Sequence, residues 1–348
     1  MKLSELQFEL PEAMIAQRPA ESRDASRLLV LNLAEGEIAH RSFPDIRDYI
    51  EPDDCLVLND TRVTPARFFC RRATGGKIEC LYLHENDGDW RVLLRPSTRL
   101  KIGERLSCPG TEHELLIQTR RERGEWEVRP TPAIEPLQLL QRIGQTPLPP
   151  YIRRDDKPDA LDEQRYQTVY ARSFGAAAAP TAGLHFTQEL LEEINAKGVR
   201  TVKLTLHVGI GTFAPIGVDD LALHDMHAEY YEIDAQTIAA LNATRKAGGK
   251  IVAVGTTSVR VLESLGDRLG AGGEDLARDR SGWTDIFIYP PYQFRNVDCL
   301  LTNFHLPGST LLALVMAFAG VEQTRTAYAA AIDKQYRFYS YGDAMLIV

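Results

Sequence analysis

KIVAVGTTSVRVLESL (250–265) holds two elements in a single run. Residues 251–254 are uninterruptedly apolar, the pattern of a strand buried on both faces. Gly255 breaks the run, three hydroxyl residues follow, and a helix through Leu265 begins. The same texture extends in both directions. Upstream lie a helix at 187–197, a strand at 202–207 and a helix at 235–247 stopped by Gly248 and Gly249. Thr187 is a natural N-cap and Gly198 a natural C′ residue. Downstream, strands are expected at 285–289 and 297–302, and helices at 309–319 and 326–336. Near the N-terminus, 28–33 and 38–43 read as a hairpin, Pro44 opens a short helix, and 54–58 is a buried strand.

Between these parts the pattern changes. Segments at 77–83, 90–95, 100–107, 114–120 and 125–130 are separated by glycine-bearing turns roughly every ten residues, which predicts a small all-β barrel. A helix at 136–143 and the stiff PLPP connector at 147–150 close it off. The expected architecture is α/β: a discontinuous α/β domain (1–64 and 151–348) interrupted by an inserted β-barrel (65–150). Two sequential domains split near 150 are the rival arrangement. A lone hairpin at 28–43 is too small to stand by itself, which favours the interruption.

The 348 residues, 44% hydrophobic and 25% charged, exclude a disordered or low-complexity chain. The longest apolar run, 311–321, is about half of the roughly 20 residues that a membrane span needs. No membrane association and no export signal are expected. Five well-separated cysteines make no zinc-ribbon spacing and read as reduced thiols in a cytoplasm. The net charge of −8 argues against non-specific nucleic-acid binding. It is unevenly distributed, however: residues 62–130 carry 14 Lys/Arg against 10 Asp/Glu.

Polar clusters follow strand after strand, and open α/β sheets bind ligands beyond the carboxyl ends of their strands. Asp60 can take a ribose hydroxyl and Arg62 an anion, or the stretch is an Asx-turn. The run 176–186 ends in His185 before a helix. Gly209 and Gly211, after the strand carrying His207, allow close backbone approach, although no full GxGxxG fingerprint is present. His224 and His227 have HxxH spacing but lack the glutamate of HExxH and an obvious third ligand, so a proton-transfer or ring-orienting role is preferred to metal. Thr256, Thr257, Ser258 and Arg260 converge where a helix N-terminus favours a carboxylate or phosphate. Asn303 and His305 follow another strand, and Tyr341 and Asp343 precede the last one.

Together these segments resemble the S-adenosylmethionine:tRNA ribosyltransferase-isomerases of queuosine biosynthesis. The resemblance is carried nearly end to end by AQRP (16–19), LVLNDTRV (56–63), ATGGKIE (73–79), PLPPYI (147–152), RYQTVYA (165–171) and AAPTAGLHF (178–186). It continues through HVGIGTF (207–213), HDMHAEYY (224–231), AVGTTSVRVLES (253–264), TDIFIYPPY (284–292), LLTNFHLPGSTLLALVMAFAG (300–320) and YRFYSYGDAMLI (336–347). Pro291 stands where the family commonly has glycine, and 173–177 is richer in alanine than usual.

The resemblance implies an α/β domain with an inserted barrel. It also implies transfer of the S-adenosylmethionine ribose onto 7-aminomethyl-7-deazaguanine at a tRNA wobble position, with rearrangement to epoxyqueuosine and release of adenine and methionine. S-adenosylmethionine is then a consumed substrate, no further cofactor or metal is expected, and a cytoplasmic monomer acting on tRNA is implied. His185, His207, His227 and His305 are the candidates for proton transfer. The 255–260 segment is expected to anchor the methionine carboxylate and Asp60 a ribose hydroxyl. Arg71, Arg72, Arg120 and Arg121 are expected to meet tRNA phosphates. The competing readings are an S-adenosylmethionine-dependent RNA methyltransferase, a non-catalytic RNA-binding module and a metal hydrolase.

Overall fold

The computed structural model describes residues 1–154, 159–209, 211, 216–266, 269 and 280–348. Contacts divide the chain into two compact units. One comprises Met1–Arg62, Pro149–Arg153 and Arg165–Val348; the other comprises Val63–Leu148 and Arg154–Gln164. Set against the expected domain ranges, the stretch 154–164 lies with the barrel unit, tied together by the Arg154–Asp162 ion pair at 2.6 Å.

In the first unit, β1 (Arg27–Asn32) and β2 (Glu37–Ser42) form the expected hairpin, and β3 is Cys55–Asn59. A two-stranded sheet pairs β4 (Thr61–Val63) with β11 (Ser173–Ala176). In the second unit, β5 (Arg67–Arg72), β6 (Lys77–Asn86), β7 (Asp89–Arg95), β8 (Arg105–Ser107), β9 (Glu114–Arg120) and β10 (Glu125–Thr131) close into a barrel, antiparallel throughout, in the order β10-β7-β6-β5-β8-β9. Alternation along each strand sends Phe68, Cys70, Ile78, Trp90, Val92, Leu115 and Ile117 inward, and α1 (Pro136–Ile143) adds Leu139 and Leu140 to that core. The short helix α2 is Ala160–Arg165. All five cysteines are buried free thiols.

The first unit is completed by β12 (Arg200–Leu206), β13 (Glu229–Ile233), β14 (Ile251–Val254), β15 (Arg280–Thr284), β16 (Cys299–Asn303) and β17 (Ala344–Ile347). Its nine-stranded sheet runs β15-β13-β12-β3-β14-β16-β17-β1-β2. The central four strands, β12, β3, β14 and β16, are parallel. Because successive side chains alternate across a strand, β14 sends Ile251 and Ala253 to one face and Val252 and Val254 to the other, and both faces are covered. One face packs on α4 (Ala235–Ala247), α5 (Thr256–Ser264), α6 (Thr310–Ala319) and α7 (Val321–Asp333), the other on α3 (Gln188–Ala196). A strand buried on both sides has no polar face to show, hence the unbroken apolar runs.

Four local expectations change. The segment 285–289 is not a strand; the ladder with β13 ends at Thr284, and Ile286 gives its carbonyl to Arg260 instead. The expected short helix after Ser42 is a 3-10 helix, Phe43–Asp48, and α7 starts at Val321, five residues before its expected position, because Gly320 at φ +85° serves as its N-cap. The strand β13, placed antiparallel to β12, was not expected at all. Of the surface loop read at 266–282, residues 267, 268 and 270–279 lie outside the described residues, as do Thr212 and Phe213 of the glycine-bearing motif.

Candidate functional site

Parallel pairing brings the carboxyl ends of β12, β3, β14 and β16 to one edge of the sheet. The register adds two antiparallel neighbours: Asn303 pairs with Ala344, so Asp343 arrives at the same edge, and Glu229 pairs with Thr284 beyond the end of β12. Segments from about 50 to more than 280 residues apart in sequence therefore meet. The edge holds a cleft of about 670 Å³, open to solvent, lined by Gly255–Thr257 after β14, Thr302–Leu306 after β16, residues 178–182 and Val208. Tyr151 and Tyr339, with rings 4.7 Å apart, close one side. Tyr339 sits at φ +71°, a strained conformation for a side chain of this size.

Two polar atoms on residues of this wall have no protein partner although they are buried: Thr257 Oγ1 and Asn303 Oδ1. Buried polar groups are normally paired. Asn303 is held in this state from behind. Its Nδ2 donates to the Tyr339 carbonyl at 3.1 Å and meets His185 Nε2 at 3.2 Å, while His185 Nδ1 meets Ser26 Oγ at 2.7 Å. With Asn303 donating to Nε2, the imidazole is neutral and its Nδ1–H donates to Ser26. Burial pushes the His185 pKa down to about 4. His185 therefore does not line the cleft and positions Asn303 instead. His305 does line it, bonded to Thr302 Oγ1 at 2.7 Å, and burial lowers its pKa to about 3.

His207 lies at the adjoining end of β12. Its Nδ1 meets Thr61 Oγ1 at 2.8 Å, its ring stacks at 6.2 Å on Tyr230, and burial lowers its pKa against the opposing pull of Glu232 and Asp60. Gly175 passes so close that a Cβ there would lie 2.7 Å from the ring. Gly211 does the same for the exposed His227, where a Cβ would lie 2.5 Å from Cδ2. Gly211, expected to admit a ligand, thus seats a histidine. The Gly209 N–H, expected to face substrate, donates to Glu229 at 2.8 Å.

Several expected roles do not survive the geometry. Arg260 cannot anchor a free carboxylate, because its guanidinium is buried in an ion pair with Glu229 and donates to the carbonyls of Ile286 and Thr284. Ser258 bonds back to the Val254 carbonyl at 2.8 Å. Asp60 is wholly buried and its Oδ1 accepts from Thr205 Oγ1 at 2.6 Å; its Oδ2 lies 3.1 Å from Arg172 Nε without a hydrogen bond, and Asp60 is not among the residues lining the cleft. Arg62 lies over the Phe174 ring at 4.6 Å. Asp343 clasps Arg27 and Arg337. Tyr341 packs edge-on to Tyr166 at 5.8 Å, away from the cleft. Thr256, Thr257, Asn303 and His305 remain on the cleft wall.

On the barrel, Arg72 is held by Glu104 at 2.5 Å and Arg121 by Glu127, so the local positive charge is largely paired. That bond lowers the Glu104 pKa and raises that of Arg72. Arg120 lies 5.6 Å over Trp126, and Arg71 is exposed. His224 packs edge-on to Phe287, and among the described residues no group of three or more His, Cys, Asp or Glu could hold a metal ion. Among them, too, no helix is long and apolar enough to cross a membrane.

Glu229, Thr61, Gly175, Ser26 and Tyr151 were not singled out from sequence. Glu229 was the most accessible of these, since it follows the two histidines of the 224–231 motif.

The model of the family described as "Queuosine biosynthesis protein" matches residues 3–347. The chain is 51% identical to the S-adenosylmethionine:tRNA ribosyltransferase-isomerase of Acetivibrio thermocellus and 49% identical to that of a Thermoanaerobacter species (strain X514), each over 100% of both chains. A crystal structure of the S-adenosylmethionine tRNA ribosyltransferase from Thermotoga maritima is similar at 37% identity and a TM-score of 0.56, covering 99% of this chain and 100% of that one. On matches that run from end to end, the chain belongs to the queuosine biosynthesis protein family and is an enzyme.

Proposed function

We propose that the chain transfers and isomerises the ribosyl group of S-adenosylmethionine onto 7-aminomethyl-7-deazaguanine in tRNA, forming epoxyqueuosine and releasing adenine and methionine. The observation that carries this reading is the pair of buried, unpartnered atoms, Thr257 Oγ1 and Asn303 Oδ1, on a cleft that also offers aromatic walls. Hydroxyl and amide acceptors suit ribose hydroxyls or an amino group. The aromatic faces of Tyr151 and Tyr339 suit a sulfonium cation. The first turn of α5 suits the methionine carboxylate, with Thr257 adding a hydroxyl donor. Arg260 then acts by bracing α5 against Glu229.

In the transfer, the amine nitrogen gains a bond to the sugar. The glycosidic bond, the sulfur–C5′ bond and one ring carbon–oxygen bond break, while a C1′–C5′ bond and a new epoxide carbon–oxygen bond form. Of the two protons lost from C5′ and the amine, one leaves with adenine and one goes to solvent. The sulfonium leaves as the thioether of methionine. A base must take a proton from C5′, which the neighbouring sulfonium acidifies. His207 is assigned this role: its Nδ1 is bonded to Thr61, which leaves Nε2 to exchange the proton, and its lowered pKa keeps the ring neutral at pH 7. His305, too weak a base at about 3, orients the nucleoside. His227 is exposed beside Gly211 and is assigned to the departing adenine. S-adenosylmethionine enters as a substrate, with no further cofactor invoked, and the reading is of a monomer in the cytoplasm.

Incubation with S-adenosylmethionine and precursor tRNA tests the proposal. Free adenine and methionine are expected. Release of S-adenosylhomocysteine would replace this reading with an RNA methyltransferase.

A further inference from the structure

The nine-stranded sheet ends in three strands, β12, β13 and β15, whose two faces differ. Leu204 and Leu206 of β12 and Tyr231 and Ile233 of β13 point into the core shared with α4 and α5. Alternate residues point the other way: Lys203 and Thr205 on β12 with His207 just past it, Tyr230 and Glu232 on β13, and Ser281 and Trp283 on β15. Among the described residues, none of these three strands adds to the apolar core on that side of the sheet.

Register sets this second face in order. The His207 N–H donates to the Tyr230 carbonyl, and Tyr230 pairs with Trp283; Thr205 pairs with Glu232, and Glu232 with Ser281. One end is therefore aromatic. The His207 ring stacks on Tyr230, and the Tyr230 ring meets Trp283 edge to face at 5.5 Å. Trp283 is 70% exposed, whereas the other two tryptophans, Trp90 and Trp126, are buried in the barrel. The other end is a polar cleft of about 620 Å³, open to solvent, lined by Arg172, Lys203 and Arg280 against Glu232 and Asp234. Both carboxylates are engaged: Glu232 accepts from the Tyr230 hydroxyl at 3.0 Å, and Asp234 caps α4 by accepting from the Thr237 N–H at 2.6 Å. Lys203 is exposed and makes no ion pair among the described residues. Arg172 meets the buried Asp60 through Nε, and its side chain is 73% exposed.

Exposed rings beside cations make a platform for single-stranded nucleic acid, with bases stacking on the rings and phosphates meeting the charges. We infer that this face holds the RNA strand next to the reacting nucleotide, with a flanking base stacked on Trp283 and the backbone running past Lys203 and Arg172. His207 fixes the location. It stands at the inner end of the aromatic row and is assigned the C5′ proton, so RNA that accepts the sugar there brings its neighbouring nucleotide over Tyr230 and Trp283. Lys203 lies four residues back along β12, about 13 Å at the rise of a strand, where the backbone of the flanking nucleotides passes. A second copy of the chain is a poorer fit. Trp283 is the only large apolar side chain exposed on this face among the described residues, too little for the core of a stable interface. The inference rests on the RNA-substrate reading above and deepens it.

The test uses the full-length enzyme and a synthetic anticodon stem-loop RNA carrying the precursor base. Because the other two tryptophans are buried, the fluorescence of Trp283 reports on this face directly. RNA should quench it and shield it from acrylamide, and Trp283→Phe should abolish both changes while keeping most of the affinity. Trp283→Ala is expected to weaken RNA binding about tenfold. Its KM for S-adenosylmethionine should stay within about twofold of wild type, since the ring touches only RNA in this scheme. An abasic linkage at one flanking position should weaken binding to wild type by a similar factor and cost Trp283→Ala nothing further. Lys203→Gln should lower the salt slope by about one, whichever bases flank the site; an unaltered slope would take the phosphate off this face. Adenine release with unchanged tryptophan emission on RNA binding, or with no flanking base coupled to Trp283, would overturn the platform and leave the proposed function standing. Unchanged RNA affinity with altered sedimentation in Trp283→Ala would overturn it in favour of a contact between copies. No adenine release by wild type would overturn both.

Discussion

On the barrel, Arg72 faces Glu104, Arg105 faces Glu114 and Arg129 faces Asp89. At the strand ends of the α/β unit, Thr257 Oγ1 and Asn303 Oδ1 have no protein partner. Both regions are rich in polar residues and both hold buried polar atoms without a partner, but those of the barrel, Nε1 of Trp90 and Trp126, lie in its apolar core, whereas Thr257 and Asn303 stand on a cleft. The barrel's charges sit on the outward positions of alternating strands, where cross-strand neighbours can pair. The strand ends of the α/β unit lie where the ladder stops, so their polar groups are not used up by sheet neighbours. Polar density by itself therefore does not locate a site; unpartnered polar groups that also line a cleft do.

The largest way to break this contrast is chemical. His207→Ala should lower kcat about 10²- to 10⁴-fold with stability nearly unchanged, measured by adenine release. Because the ring must be neutral to take a proton and its pKa is lowered, the acid limb of wild-type kcat/KM should fall below pH 6.5. A limb above that value would remove His207 as the base.

Next in size is the buried ion pair. Glu229→Gln leaves Arg260 uncompensated and should cost about 3–5 kcal/mol in denaturant unfolding. Arg121→Ala, on the barrel, should cost at most about 1 kcal/mol. Equal losses in the two would erase the distinction between the regions.

A third test uses pH. The folded pKa values of His185 and His305, about 4 and about 3, lie below the ordinary 6.5, so the unfolded chain binds more protons in acid. Their stabilisation is complete above pH 6.5 and is lost as pH falls toward those values. At about pH 5 each should have removed about 2 kcal/mol of stability relative to neutral pH, read from urea midpoints. His185→Gln should flatten that slope.

Smaller still, Thr257→Val should raise the KM for S-adenosylmethionine about tenfold, the cost of one lost hydrogen bond to a charged group. Smallest of all, Arg72→Gln or Arg121→Gln should change RNA affinity by less than about twofold, because the paired carboxylates already hold these side chains. A large loss there would return the docking face to the barrel.

Much of the architecture was legible from local pattern. Doubly buried strands such as 251–254 have to be apolar throughout, and barrel strands have to alternate, so each carries its burial in its sequence. The segment 285–289 misled for the same reason: Ile286 and Ile288 are apolar because they pack on the core, although the segment joins no ladder. At the candidate site, the loops singled out at 255–257 and 302–306 are ones that line the cleft, since polar clusters directly after buried strands have few structural uses. Individual side chains elsewhere in the motifs mislead. Arg260, Asp60 and Asp343 resemble ligand-binding residues in one dimension, but each has its charge met by a partner tens to hundreds of residues away.

The order of apolar runs, turns and helix caps thus determined an α/β chain interrupted by a barrel, and the run of motifs determined its family, because periodicity and local backbone preference act between near neighbours. Which side chains face a ligand was decided only by the tertiary structure. Strand order brought Glu229 under Arg260 and Ser26 behind His185. Partnership between charges depends on distance in space, and no spacing along the chain records it.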